Sequence, residues 1–236
     1  MEIIKSKTKD VPLVDQLAEK QVSRRKFFRY AGIFGASAAV IGSMASCGSD
    51  DSITDDGINL GSGDIGVLNY AFALEQLEAA FYTRVASSPY SGITPAETQY
   101  IQEIRDHEIA HREFFRRVLG NNAIQNLEVN FSSINFGDRA SVLATAKAFE
   151  DLGVSAYNGA GQLLTDPNNL LIAGKIVSVE ARHAALIRDL IQPGSFANSE
   201  VVDANGLDVV RTPAQVLQIA SAFLVSRLNA SNLPTS

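Results

Sequence analysis

From Asp64 onward, apolar side chains recur at intervals of three and four, the period of helices that bury one face. Leu68, Phe72, Ala79 and Tyr82 share one stripe. Ile101, Ile104 and Phe115 share a second, and Ile176 and Ile187 a third. Start and stop signals divide the pattern into elements. Asp64 is read as the cap of a first helix running to about residue 87. Thr94-Pro95-Ala96-Glu97 combines an N-cap threonine, a first-turn proline and a glutamate that closes a capping box, so a second helix starts there. It runs to about Leu119, where Gly120-Asn121-Asn122 stops it. Residues 121–137 lose the helical period and form a long connection. Asp138 caps a third helix to about Thr165, and Asp166-Pro167 opens a fourth that ends before Pro193. Thr212-Pro213-Ala214-Gln215 repeats the capping pattern for a short fifth helix. Between the last two, Val201-Val202 and Val209-Val210 flank Asn205-Gly206, the pattern of a small hairpin. The expected fold is all-α: a four-helix bundle with a long crossover between helices 2 and 3, plus a short fifth C-terminal helix. An up-down bundle would not need that link.

Glutamates interrupt these apolar stripes. Glu75 lies on the first, Glu108 on the second and Glu180 on the third. Glu108-Ile109-Ala110-His111 and Glu180-Ala181-Arg182-His183 each place a carboxylate and an imidazole three residues apart, on one helix face. The remaining partner emerges from an internal repeat. Ala73-Leu74-Glu75-Gln76-Leu77 aligns with Ala148-Phe149-Glu150-Asp151-Leu152, and seven residues after each glutamate stands a tyrosine, Tyr82 or Tyr157. Ile104 matches Ile176 and Arg116 matches Arg188, so the body reads as a duplicated helical hairpin. Glu78 is a second candidate on the first helix, but its counterpart is Gly153, and the repeat selects Glu75. The candidate metal ligands are therefore Glu75, Glu108, His111, Glu150, Glu180 and His183. Buried charges are costly alone, and four carboxylates in one core repel; two divalent cations would balance them. Oxygen and nitrogen donors without thiolate suit iron or manganese. Tyr82 and Tyr157 have two readings: candidate catalytic residues hydrogen-bonded to ligands of the opposite half, or plain core aromatics. His107, one turn before His111, is either an extra ligand or a half-exposed helix histidine. Arg182 either orients a carboxylate or is solvated.

Composition adds an N-terminal segment of different character. The first 46 residues carry eight Lys/Arg against four Asp/Glu, and the rest carry 12 against 22. An acidic body has nothing to neutralise phosphates, so nucleic-acid binding is excluded for it. The basic head holds Ser23-Arg24-Arg25-Lys26-Phe27-Phe28, then a weakly apolar run from Ala31 to Ser46, then Cys47. That order describes an export signal, and the run is shorter than the roughly 20 apolar residues of a membrane span. Cys47 is the one cysteine, so no internal disulfide exists. Apart from Met1, Met44 is the sole methionine, and the chain beyond Cys47 lacks sulfur; this suits oxidant chemistry or reflects composition alone. The expected organisation is a signal over residues 1–47, an acidic flexible tether over 48–63 beginning Gly48-Ser49-Asp50-Asp51, and the helical domain over 64–230.

Two resemblances extend this reading. Ser23 to Phe28 resembles a twin-arginine (Tat) signal, and Met44-Ala45-Ser46-Cys47 resembles a bacterial lipobox. Together they imply export in folded form, lipidation of Cys47 and membrane attachment through that N-terminal anchor, on the periplasmic or cell-surface side. The body resembles the ferritin-like superfamily. Its nearest likeness is the bacterial ferritin-like domain family that includes desiccation-related proteins, through Leu68-Asn69-Tyr70-Ala71-Phe72-Ala73-Leu74-Glu75-Gln76-Leu77-Glu78 and Asp106 to His111. The likeness implies a ferritin-like four-helix bundle over residues 64–191 and a pair of iron or manganese ions. The cysteines of a rubrerythrin-type electron-transfer site are missing, so a peroxidase of that kind would need an outside reductant. Three functions stay open: an oxidoreductase acting on oxygen or peroxide (a di-manganese catalase-like reaction included), an envelope protein that sequesters metal without turnover, and a stress-protective bundle with a vestigial site. A homo-oligomer is compatible with the sequence and not specified by it.

Overall fold

The computed structural model describes residues 57–235. The expected signal, Cys47 and most of the tether lie outside those residues. The described chain runs β1 (Ile58–Asn59), α1 (Gly63–Ser87), α2 (Pro95–Leu119), α3 (Arg139–Gly161), α4 (Pro167–Ile191), α5 (Pro213–Ala220) and β2 (Leu228–Asn229). Helices α1 and α2 pack as one hairpin and α3 and α4 as another; α1 also meets α3, and α5 lies against α3. This is the four-helix bundle with a crossover and a short fifth helix that the periodicity predicts. No described helix is long and apolar enough to cross a membrane.

The capping residues act as the sequence indicates in most places. Thr94 and Glu97 form a reciprocal capping box at α2, Thr212 and Gln215 do so at α5, and Asp138 and Asp166 cap α3 and α4. Asp64 is the exception. The N-cap of α1 is Ser62, and Asp64 instead accepts hydrogen bonds from the Thr165 and Asp166 amides and the Asn169 side chain. It ties the start of α1 to the α3–α4 turn. Helix α3 also ends at Gly161 rather than near Thr165, because Leu163 and Leu164 turn back onto the Ala160 and Gly161 carbonyls. The expected hairpin around Asn205-Gly206 is present as a bridge between Val202 and Asp208, with the Val209 amide on the Val201 carbonyl. Its return limb meets α3 where Gly159 has no side chain: a Cβ there would lie 1.8 Å from the Arg211 carbonyl oxygen.

The crossover is held by two amide side chains one heptad apart on α1. Asn69 donates to the Leu60 and Asn122 carbonyls and accepts from the Ile124 amide, while Gln76 accepts from the Leu127 amide. Residues 121–137 thus lie along α1 and cover an aromatic cluster of Phe81, Phe131, Phe136, Phe149 and Phe223. Asn69 is buried, so losing it strands three backbone polar groups in two separate segments, at Leu60 and at Asn122 and Ile124. Asn69→Leu is expected to cost about 1–3 kcal/mol, measured by urea denaturation. An unchanged midpoint would show that the link is held by its aromatics alone.

The bundle's two ends are also joined. β1 pairs in parallel with β2, and Leu60 is fully buried, so the last residues expected as tether belong to the packed body.

Candidate metal centre

Each bundle helix contributes a glutamate to one central point. Helical spacing turns Glu75, Glu108, Glu150 and Glu180 inward from α1, α2, α3 and α4, and all four are 0% exposed. His111 and His183 stand one turn beyond their glutamates on α2 and α4. The six residues form two groups whose donor atoms all lie within 4.8 Å of one another: Glu75, Glu108, His111 and Glu180 in one, Glu108, Glu150, Glu180 and His183 in the other. Glu108 and Glu180 belong to both. Each group therefore has a private glutamate and histidine, and the two share a pair of carboxylates.

The distances repeat this near-twofold pattern. His111 Nδ1 lies 2.8 Å from Glu180 Oε1 and 3.3 Å from Glu75 Oε2. His183 Nδ1 lies 2.9 Å from Glu108 Oε1 and 3.5 Å from Glu150 Oε2. Close as they are, none of these contacts has hydrogen-bond geometry. Glu75 Oε2, Glu150 Oε2, both oxygens of Glu108 and Glu180, and both Nδ1 atoms are buried without a hydrogen-bond partner. Donor atoms that converge on common points instead of on each other fit a pair of metal ions, and such buried polar atoms are otherwise rare.

Electrostatics give the same picture. Burial and then Glu180 push Glu108 up to about 8. Burial also raises Glu150, to about 7, against the pull of His183. Burial opposes charge on Glu180 and His183 too, but there the neighbours win. His111 and His183 hold Glu180 down at about 2, and Glu150 and Glu108 lift His183 to about 12. The metal-free core thus keeps protons on some carboxyls and imidazolium on its histidines, all of which divalent metal would displace.

Tyr82 and Tyr157 cross between the halves. The Tyr82 hydroxyl donates to Glu150 Oε1 at 2.5 Å, and the Tyr157 hydroxyl donates to Glu75 Oε1. Each occupies one oxygen of a private glutamate and leaves Oε2 facing the centre. Both phenols are fully committed and raised well above their ordinary value by burial and then by those carboxylates.

Two residues outside the set of six are structurally engaged with it. His107 Nδ1 lies 2.9 Å from His183 Nε2, with the rings within 9° of parallel. The contact fixes which nitrogen of His183 faces the carboxylates. Its repeat counterpart is Val179, so only one half has this support. Spacing alone places His107 near His111 on its own helix; it does not reveal the reach to α4. Glu78, set aside by the repeat, is buried over Gly153: a Cβ on Gly153 would stand 3.1 Å from Glu78 Oε1. The glutamate of one half fills the space that the glycine of the other vacates. Burial, then Glu108, Glu180 and Glu150, raise Glu78 well above the ordinary carboxylate range. Arg182 stays on the surface, bonded to Ser178.

His107→Phe keeps the ring but removes the nitrogen that meets His183. It is expected to weaken metal binding by about 10–100-fold, read by competition with a chelator, with little change in the metal-free melting temperature. Equal affinity would make His107 a bystander.

A family model described as the ferritin-like domain matches residues 63–193. No curated protein matches the chain.

Proposed function

The chain belongs to the ferritin-like domain family, and on that premise we propose an exported di-metal protein, holding two iron or manganese ions and acting as an oxidoreductase on dioxygen or peroxide. One observation carries the metal reading: eight buried donor atoms of six residues lack hydrogen-bond partners and converge in two groups that share Glu108 and Glu180. The two ions, when bound, supply Lewis acidity and one-electron steps at a shared point. Glu75 with His111 would hold one ion and Glu150 with His183 the other, with Glu108 and Glu180, common to both groups, available to either.

The protein's own part is positioning and insulation. Tyr82 and Tyr157 hold the private carboxylates in one orientation, and His107 holds His183. The apolar stripes around the glutamates exclude water, so charge changes at the centre are screened little. His111 is the most exposed of the six, its side chain being 13% exposed against 5% for His183 and 0% for the four glutamates.

The paired arginines Arg24 and Arg25 and the small residues before Cys47 support export and lipid attachment. The reaction is tested by adding hydrogen peroxide to iron- or manganese-loaded protein. Consumption with oxygen release and no reductant indicates disproportionation. Consumption only with a reductant indicates a peroxidase. Stable metal binding with no consumption of peroxide or dioxygen would sink the oxidoreductase reading and leave a sequestering protein.

A further inference from the structure

A second feature lies at the end of the bundle where α1 and α4 begin and α2 and α3 end. There the helices leave a pocket of about 120 Å³. Its walls are apolar: Leu68 and Ala71 of α1, Phe115 of α2, Ala160 of α3, and Ile172 and Ala173 of α4. The polar groups at its rim are the side-chain amides of Asn168 and Asn169, which donate to Asp166 and Asp64. No charged side chain lines it. Its inner wall includes the ring of Tyr157, whose hydroxyl holds Glu75. Ala71 stands one turn before Glu75 and Phe115 one turn after His111, so the pocket ends one side chain from the Glu75–His111 half of the centre.

We infer that this pocket takes up a small uncharged apolar molecule, dioxygen, beside the Glu75–His111 side of the centre, with Tyr157 as the wall between them. The inference rests on the proposed di-metal reading for its consequence and on the pocket alone for its existence. Apolar cavities of roughly this size, about 150 Å³, stay dry and take up apolar guests such as xenon. A largely apolar lining without charges offers little to an anion, and its apolar walls leave the hydrogen bonds of peroxide unmade. The opposite half has no equivalent among the pockets described: the space beside Asp151 and Arg188 is lined by charged groups.

Xenon is the direct probe. Crystals of the protein pressurised with xenon are expected to show it beside Tyr157 and Ala160. Ala173→Phe, a rim substitution on a half-buried residue, is expected to abolish the xenon peak while keeping the metal content. In ferrous-loaded Ala173→Phe, oxidation by dioxygen is expected to slow by about tenfold or more, as for an access-limited step. Oxidation by peroxide should keep its wild-type rate. Ala160→Leu, filling the pocket from the other side, is expected to do the same if Ala173→Phe folds poorly. No xenon in the wild-type pocket overturns the inference, as does an unchanged dioxygen rate in a variant that excludes xenon. Absence of metal with xenon bound would instead overturn the di-metal reading and leave an apolar ligand site.

Discussion

Loading the metal-free protein with ferrous or manganous ion is expected to raise its melting temperature by about 10 °C. At free metal about a thousandfold above Kd, one site adds about 4 kcal/mol. In a domain of this size each kcal/mol moves the midpoint by about 2–4 °C. The pH dependence carries the signature. In the metal-free protein Glu108 and Glu150 sit at about 8 and about 7, against an ordinary value of 4.5. The folded state therefore keeps protons that the unfolded chain releases, and stability falls as pH rises through that window. His183, lifted to about 12 from 6.5, extends the fall to higher pH. Glu180, held at about 2, acts the other way, but only below about pH 4.5. So the metal-free midpoint is expected to drop between pH 5 and pH 8, about where metal gains by displacing the same protons. Differential scanning calorimetry with and without metal across that range should show opposite slopes. Parallel slopes would mean that the carboxylates are not the metal's ligands.

Replacing Glu108, common to both groups of donors, by its neutral isostere is expected to separate stability from function. Glu108 is fully buried among Glu180, Glu75, His111 and His183, and its raised pKa marks a carboxyl that destabilises the metal-free fold at neutral pH. Glu108→Gln is expected to stabilise the metal-free protein by about 1–3 kcal/mol near pH 7. The same change removes a carboxylate from both groups, so the rise in melting temperature on metal addition should collapse. A residue retained against stability is the expected mark of a functional site. Destabilisation of the metal-free protein with metal binding intact would assign Glu108 to structure instead.

The elements were legible because each carries a local signal. A period of 3.6, capping boxes at Thr94 and Thr212, and prolines after Thr94, Asp166 and Thr212 report on a few neighbouring residues. The site was legible for a different reason. Duplication writes each half twice, so Glu75 could be found from Glu150 and the two Glu-x-x-His pairs from each other. What the chain hides is contact between residues far apart in sequence. Asp64 reads as an N-cap by its position, yet its partners are Thr165, Asp166 and Asn169. Asn69 and Gln76 look like polar interruptions of an apolar face until the link 121–137 is laid over them. The parallel pairing of Ile58–Asn59 with Leu228–Asn229 joins segments with no shared pattern. The departures from the repeat were the subtlest. Glu78 opposite Gly153, and His107 where Val179 stands in the other half, read as mismatches in an alignment. In space they are one side chain filling another's gap and one ring stacked against His183.

Metal content is the measurement that bears most directly on the centre. Protein purified in folded form, beside a Glu108→Ala/Glu180→Ala variant, would be assayed by inductively coupled plasma mass spectrometry. The geometry predicts about two iron or manganese ions per chain in the wild type, as in other bundles with this ligand set, and loss of both ions in the variant. No metal in the wild type after reconstitution, or equal metal in the variant, would contradict it.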